Sequence, residues 1–118
     1  MAFKCFHIPL TFETRQLFND EYLFHFKKQI VLLNASRGEV VNIRAVLNGL
    51  RNGKISAAGL DVLELEKFPA LAEQEWFAEL SEHKKVILSP HIAGWTYESY
   101  RKISEVLAQK LKVLIPLL

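Results

Sequence analysis

His91 stands where acid–base chemistry is possible. The apolar run Val86–Leu88 leads toward it, and Pro90, which cannot donate to a strand ladder, ends that run. Ligands of open α/β sheets bind beyond the carboxyl ends of the strands, and histidine exchanges a proton near neutral pH. We therefore expect an acid–base residue at a strand end. The alternative is an ordinary loop histidine that its neighbours satisfy.

Two other strand-like runs also end in polar residues. Arg37 follows the apolar run 29–33, and Asp61 and Glu66 come at and beyond the end of the run 55–62. Because parallel strands present their carboxyl ends along one edge, we expect Arg37, Glu66 and His91 to converge there. Each residue has an ordinary explanation as well: a surface arginine, a solvated glutamate and, for Asp61, a helix or turn cap.

This set of side chains suits redox chemistry on a hydroxy acid. An arginine holds a carboxylate through two hydrogen bonds and polarises the neighbouring carbonyl. A histidine takes the hydroxyl proton as hydride leaves, and a nearby glutamate fixes its tautomer and favours the imidazolium form. The hydride itself requires a nicotinamide.

The composition fits one globular domain. A chain of 118 residues is long enough to bury a core. Half of the residues are hydrophobic and about a quarter are charged, which is ordinary for a globular protein. The net charge of +2, with scattered basic residues, gives no indication of a nucleic-acid partner. The single Cys5 excludes a disulfide scaffold and favours a reducing compartment. No apolar run approaches the roughly 20 residues that span a bilayer. We expect a cytoplasmic protein without membrane partners or a metal site.

Strand and helix patterns alternate along the chain. We expect strands at 3–10, 29–33, 55–62 and 86–88, and a turn followed by a short helix at 11–18. We further expect short helices at 20–26 and 72–80, a helix from Asn42 to Gly53, and a long helix from Thr96 to about Ile115. In the helix that Asn42 caps, apolar residues recur at the spacing of one helical face. In the helix 72–80 we expect Trp76, Phe77 and Leu80 to be buried. The order predicts an α/β fold with a parallel sheet and right-handed crossovers.

The last helix is longer than four short strands need for cover, at about 30 Å. Its end, 113–118, is unusually apolar, which suggests docking against another domain or chain. We therefore divide the chain into 1–95 and a separate helical segment, 96–118. Trp95, at the junction, is expected to pack into the core rather than to contact a substrate.

Four segments resemble the D-isomer-specific 2-hydroxyacid dehydrogenases, and among these the phosphoglycerate dehydrogenase-like members. They are 7–14 (HIPLTFET), 33–41 (LNASRGEVV), 59–66 (GLDVLELE) and 88–96 (LSPHIAGWT). They occur in order and at suitable spacing over nearly the whole chain. The resemblance implies a Rossmann-like half domain of about four parallel strands with a long C-terminal helix. It also implies an NAD-dependent oxidoreductase that acts on the CH–OH group of D-2-hydroxy acids.

The resemblance further implies roles for individual residues. Arg37 would bind the substrate carboxylate, Glu66 would support the histidine, and His91 would donate and accept the proton. The residues implied along the nicotinamide side of the NAD site are Ala35, Ser36, Arg37, Asp61, His91 and Gly94. His7 and Pro9 match a loop that passes near the cofactor. Lys67 departs from the family, which usually has proline there.

The sequence has no Gly-x-Gly-x-x-Gly turn, which would hold the pyrophosphate of the cofactor. We therefore expect a partial chain, the second half of a dinucleotide-binding domain without its substrate domain. The substrate and the choice between NAD and NADP stay open. One alternative is a non-catalytic fragment that pairs through its sheet edge or swaps its last helix in a homodimer. A further alternative is an NAD sensor of the corepressor kind.

Overall fold

Four parallel strands form one sheet in the computed structural model, which describes residues 1–115. The strands are β1 (Ala2–Phe6), β2 (Ile30–Asn34), β3 (Ile55–Leu60) and β4 (Val86–Leu88). They lie side by side in chain order, and every neighbouring pair is parallel. Right-handed crossovers between strands in this order place all connecting helices on one face. The expected Rossmann-like half domain is therefore confirmed.

One α-helix follows each strand along the chain. These helices are α1 (Asp20–Phe24), α2 (Ile43–Arg51), α3 (Glu75–Glu82) and α4 (Tyr97–Leu114), with a 3₁₀ turn at Gly38–Val40 before α2. Side-chain oxygens cap three of the helices, each accepting from a backbone amide three residues on: Asn19 for α1, Asn42 for α2 and Thr96 for α4. Gly53, with φ of +78°, lies just past the C-cap of α2. The cap at Asn42 and the helix limits at Gly53 and Thr96 agree with the sequence predictions.

Of the turn and short helix predicted at 11–18, the turn is present and the helix is wrong, because turns continue through this segment. The Thr11 amide donates to Thr14 Oγ1 at 2.7 Å, and the Thr14 hydroxyl donates to the Pro9 carbonyl at 2.7 Å. Such local side-chain bonds compete with the helical ladder. The third helix also starts later than expected, at Glu75 instead of residue 72, after a turn segment at 67–74.

The core lies between the helices and one face of the sheet. Alternate strand residues, among them Phe6, Leu32 and Leu60, point into it and are buried. The predicted apolar face of α2 is buried in full: Ile43, Val46, Leu47 and Leu50. In α3, Trp76 and Leu80 are buried while Phe77 is only partly so.

The opposite face of the sheet is uncovered. Strand pairing places Cys5, Leu33, Gly59 and Ile87 in one row across it, and Ile87 is 76% exposed. α4 likewise has no buried residue, so its apolar stripe faces away from the core. Trp95 is 71% exposed, which shows that the expected core packing is wrong. The predicted apolar end at 113–118 falls partly outside the described residues, which end at Ile115.

Among residues 1–115, no helix is both long and apolar enough to cross a bilayer.

Candidate active site

Asn34, the last residue of β2, shapes the turn that carries Arg37. Its buried side chain accepts at Oδ1 from the Ser36 amide (3.1 Å) and the Ser36 hydroxyl (2.9 Å). Its Nδ2 donates to the Arg37 carbonyl at 3.0 Å. An asparagine that bonds its own backbone a few residues on stabilises a tight turn. Ala35, Ser36 and Arg37 are therefore held at the carboxyl edge of the sheet.

Asp61 connects the end of β3 to the loop that carries His91. Its carboxylate accepts from the Ser89 hydroxyl (2.5 Å) and from the amides of Ile92 (3.0 Å) and Ala93 (3.1 Å). Its backbone carbonyl accepts from the His91 amide at 2.8 Å. Asp61 therefore caps the turn that carries His91, which is the ordinary explanation that the sequence offered for this residue.

The pKa of Asp61 reflects these contacts. Burial raises the pKa of this carboxyl, whereas hydrogen bonds from Ser89, Ala93 and Ile92 and the proximity of His91 lower it by more. The pKa of Asp61 consequently lies below its ordinary value of 3.8. Asp61 is therefore ionised at neutral pH and accepts all of these hydrogen bonds.

His91 and Glu66 form a contact of acid–base character at this edge. His91 Nδ1 lies 2.8 Å from Glu66 Oε1. An ionised carboxylate can only accept a hydrogen bond, so in the neutral ring the proton belongs on Nδ1, and Nε2 is left as a base. The His91 side chain is 48% exposed, which leaves the ring accessible to a small molecule.

Backbone conformation is unusual on both sides of this pair. His91 has φ of +56°, and Leu65, which precedes Glu66, has φ of +50°. Left-handed backbone is unfavourable for such side chains, and it is typically kept at functional sites by surrounding contacts. For His91, the bonds from its amide and from the next two amides to Asp61 supply those contacts.

The Arg37 turn lies directly against the loop that carries Glu66. A Cβ on Gly38 would be 2.0 Å from the Leu63 carbonyl oxygen, so the approach requires glycine. Arg37 is exposed, and its Nη1 donates to the Ser36 carbonyl at 2.7 Å. It forms no ion pair within residues 1–115. The structure thus brings Glu66 and His91 together and leaves Arg37 on the same edge without an ion pair to Glu66.

Two clefts open at this edge of the sheet. The larger, of about 240 Å³, is lined by His7, Ala35 and Gly59 among others. The smaller, of about 190 Å³, is lined by Glu66 and His91 together with apolar side chains. Asp61 and Ser89 line both clefts, so the two are adjacent.

The remaining expected site residues lie in loops after strand ends. Pro9 and Gly94 are exposed and line neither of these clefts. In the described part of the chain, no three acidic, histidine or cysteine side chains are grouped so that they could hold a metal ion.

Comparison with known proteins identifies the family. The sequence profile described as "D-isomer specific 2-hydroxyacid dehydrogenase, NAD binding domain" matches residues 3–93. This chain belongs to that family.

Two curated members of the 2-hydroxyacid dehydrogenases illustrate the similarity. Glyoxylate reductase of Thermococcus kodakarensis is 38% identical over 104 residues, which cover 88% of this chain and 29% of that protein. D-3-phosphoglycerate dehydrogenase of Haemophilus influenzae is also 38% identical over 104 residues, which cover 88% of this chain and 25% of that protein. The chain therefore spans less than a third of the length of these relatives.

Solved structures of the family share the fold. D-lactate dehydrogenase from Aquifex aeolicus, solved with NAD and lactic acid, superposes with a TM-score of 0.73 at 31% identity. The alignment covers 97% of this chain and 37% of that chain. An NAD-complexed D-isomer specific 2-hydroxyacid dehydrogenase from Lactobacillus delbrueckii gives a TM-score of 0.75 at 28% identity, over 94% of this chain and 37% of that one.

Sequence reasoning missed several residues that position this candidate site. The close approach at Gly38 has no sequence signal beyond the glycine itself. Asn34 could have been found, since asparagine followed two residues later by serine is typical of a side-chain-closed turn. Glu64 accepts from the Ile43 amide at 2.7 Å, a contact between distant segments that no local pattern reveals.

Proposed function

We propose that this chain supplies the acid–base half of an NAD-dependent oxidoreductase that acts on the CH–OH group of small D-2-hydroxy acids. The observation that carries the proposal is the 2.8 Å contact between His91 Nδ1 and Glu66 Oε1 at the carboxyl edge of the sheet. Membership of the 2-hydroxyacid dehydrogenases supports it. The glyoxylate reductases among the relatives support a small 2-keto acid as the oxidised partner.

The residues would act in three roles. In oxidation, His91 Nε2 accepts the hydroxyl proton of the substrate, and in reduction the imidazolium returns it. Glu66 stabilises the imidazolium and keeps Nε2 directed away from itself. Arg37, which uses only one of its five donors within residues 1–115, binds the substrate carboxylate through the others.

The larger cleft fits the nicotinamide end of NAD. It lies beside the His91 cleft, and its lining includes the small residues Ala35 and Gly59, which leave room for a flat ring. The residues proposed along the NAD site are His7, Pro9, Ala35, Ser36, Arg37, Asp61, His91 and Gly94, and of these His7, Ala35 and Asp61 line the larger cleft. NAD, when bound, accepts the hydride in oxidation and, as NADH, donates it in reduction. The absent glycine-rich turn limits this fit to the nicotinamide end.

Calorimetric titration of the purified chain with NADH tests the proposal, followed by assays of NADH oxidation with glyoxylate. We expect saturable binding and a rate that falls about 10²–10⁴-fold in His91→Asn, because asparagine keeps a donor for Glu66 but has no base at the Nε2 position. His25→Asn is the matched control, since His25 is exposed near α1. Absence of binding at millimolar NADH would contradict the proposal.

A second test addresses Arg37. Arg37→Lys removes the two-pronged contact with a carboxylate while it keeps the charge, so we expect KM for the 2-keto acid to rise. Arg44→Lys is the control, because Arg44 is an exposed arginine of α2 that pairs with Glu75 at 3.4 Å. An equal KM in the two variants would show that Arg37 does not bind the substrate.

A non-catalytic module is the second candidate function. The open sheet face and the exposed α4 favour it, because uncovered apolar surface drives association. We propose that the chain forms a homo-oligomer, and an interface on the open face would compete with the nicotinamide, because Leu33, Gly59 and Ile87 belong to that face and also line the larger cleft. We further propose a cytoplasmic location, where the exposed Cys5 stays a thiol. Regulation as an NAD sensor would require NADH binding without turnover, which the titration and the rate assay distinguish.

A further inference from the structure

Gln16 and Glu64 meet beside the start of α2, in contacts that do not include Glu66 or His91. Gln16 Nε2 donates to Glu64 Oε2 at 3.0 Å, and the Ile43 amide donates to Glu64 Oε1 at 2.7 Å. Ile43 is the first residue of α2, and its amide has no partner within the helix. Glu64 thus satisfies a free donor and places its negative charge at the positive end of the helix.

The hydrogen bonds of the neighbouring Asn42 fix the orientation of the Gln16 amide. Asn42 Oδ1 accepts from the Ala45 amide at 3.0 Å as the N-cap of α2, so its Nδ2 must act as donor. That donor contacts Gln16 Oε1 at 2.7 Å. The NH₂ group of Gln16 is therefore directed at Glu64 and, at 3.3 Å, at the Glu39 carbonyl.

The backbone on both sides of this contact is left-handed. Gln16 has φ of +55°, and Leu65, next to Glu64, has φ of +50°. Such conformations persist where surrounding contacts determine them. The bonds of Gln16 and Glu64 are contacts of this kind, since they join segments 48 residues apart.

We propose that Gln16 and Glu64 are positioning residues that hold Glu66 within reach of His91. The loop 61–66 is fixed at its start by Asp61, which binds the His91 turn, and near its end by Glu64, which binds α2 and Gln16. Only Leu65 separates Glu64 from Glu66. The catalytic consequence rests on the proposed function, whereas the geometric claim does not.

The test is the tautomer of His91 in the ¹⁵N-labelled full chain, measured by NMR at alkaline pH, where imidazole is neutral. Glu66→Gln is the reference variant, because it exchanges the obligate acceptor for an amide and releases the proton from Nδ1. We expect Glu64→Gln, which sets an amide donor against the Gln16 amide, to produce most of the tautomer change that the reference produces. Gln16→Gly should do the same, and glycine tolerates the left-handed backbone there.

Two further variants separate positioning from general destabilisation. Gln29→Ala is the matched control: it removes an exposed glutamine whose Nε2 donates to the Gly53 carbonyl at 2.8 Å, and we expect no tautomer change. The double variant Gln16→Glu with Glu64→Gln exchanges donor and acceptor across the contact. We expect a partial return toward the wild-type tautomer, because amide and carboxylate pair again, while the carboxylate at position 16 also faces the Glu39 carbonyl, which lies 3.3 Å from the replaced amide nitrogen. A merely structural weakness would not explain this recovery.

The outcomes are distinct. If the reference variant changes the tautomer while Glu64→Gln and Gln16→Gly leave it unchanged, the positioning role is wrong and the proposed function stands. If the reference variant has no effect, the Glu66–His91 contact does not form in solution, and the inference fails together with the observation that carries the proposed function. If Glu64→Gln does not fold, Gln16→Gly decides.

Discussion

At the residue scale, the site uses carboxylates in two different ways. Asp61 is 8% exposed, and its hydrogen-bond donors all come from the loop that carries His91. Glu66 is exposed and contacts the His91 ring. The buried carboxylate of Asp61 fixes the backbone of the histidine turn, and the exposed carboxylate of Glu66 fixes the ring. Removal of Asp61 should therefore lower folding stability, whereas removal of Glu66 should change the tautomer of His91.

Asp61→Asn should make folding less stable by about 2 kcal/mol at neutral pH, because an amide cannot accept from all three donors. The folded pKa of Asp61 is depressed, so the stability it contributes is present above its ordinary pKa of 3.8 and is lost as the pH falls through the folded pKa. Urea denaturation at a series of pH values should therefore show wild type and variant converging below pH 3.8.

The control for this prediction is Asp20→Asn. Asp20 is exposed at the start of α1 and accepts from Asn48 at 3.2 Å, so its replacement should change stability little. Stability curves for Asp61→Asn and wild type that stay parallel down to strongly acidic pH would contradict the assigned role.

The sequence predicted the paired side chains of the candidate site better than it predicted the residues that position them. The resemblance pointed to Glu66 and His91, and the structure places them in contact. The support from Gln16 was not predictable, since left-handed backbone normally favours glycine or asparagine and its partner lies far along the chain. The prediction that Trp95 packs into the core was wrong, since this residue is 71% exposed. Tryptophan is usually buried, but Trp95 lies in a loop that does not contact the core.

At the element scale, the site depends on how closely two loops approach. The turn after β2 meets the loop after β3 at Gly38, where the Leu63 carbonyl would lie 2.0 Å from an added Cβ. Gly38→Ala must therefore separate the Arg37 turn from the Glu66 loop. We expect a loss of about 2 kcal/mol in the free energy of unfolding, as for other overpacked sites, measured by denaturant titration.

Gly94→Ala is the control for that substitution. Gly94 has open space around the Cβ position and no left-handed backbone, so alanine should be tolerated there. Equal stability of the two variants would mean that the Gly38 contact relaxes at no cost, and that the two loops are not rigidly joined.

The elements themselves were predictable where side chains repeat at a regular spacing. The apolar positions of α2 and the capping residues determined its limits to within a residue. The segment 11–18 shows the opposite case, because Thr11 and Thr14 bond the backbone locally and replace the expected helix by turns.

At the scale of the whole molecule, the core is one-sided. Helices cover one face of the sheet, while the other face exposes Phe3 (71%), Leu33 and Ile87. α4 extends away with no buried residue, and the molecule measures 58 Å along its longest axis. Exposed apolar area of this kind favours association, which is the physical basis of the proposed homo-oligomer.

Ile87→Lys should weaken self-association without loss of stability. Ile87 is 76% exposed on the open face, so a charge there opposes burial in an interface but disturbs no packing within the chain. Light scattering over a range of concentrations should show wild type associating and the variant shifted toward the monomer. Phe24→Lys is matched in exposure, at 77%, but lies on α1 at the covered face, and should associate as wild type does. If both variants have the wild-type mass, the open face is not the contact surface; if wild type is monomeric throughout, the homo-oligomer is wrong.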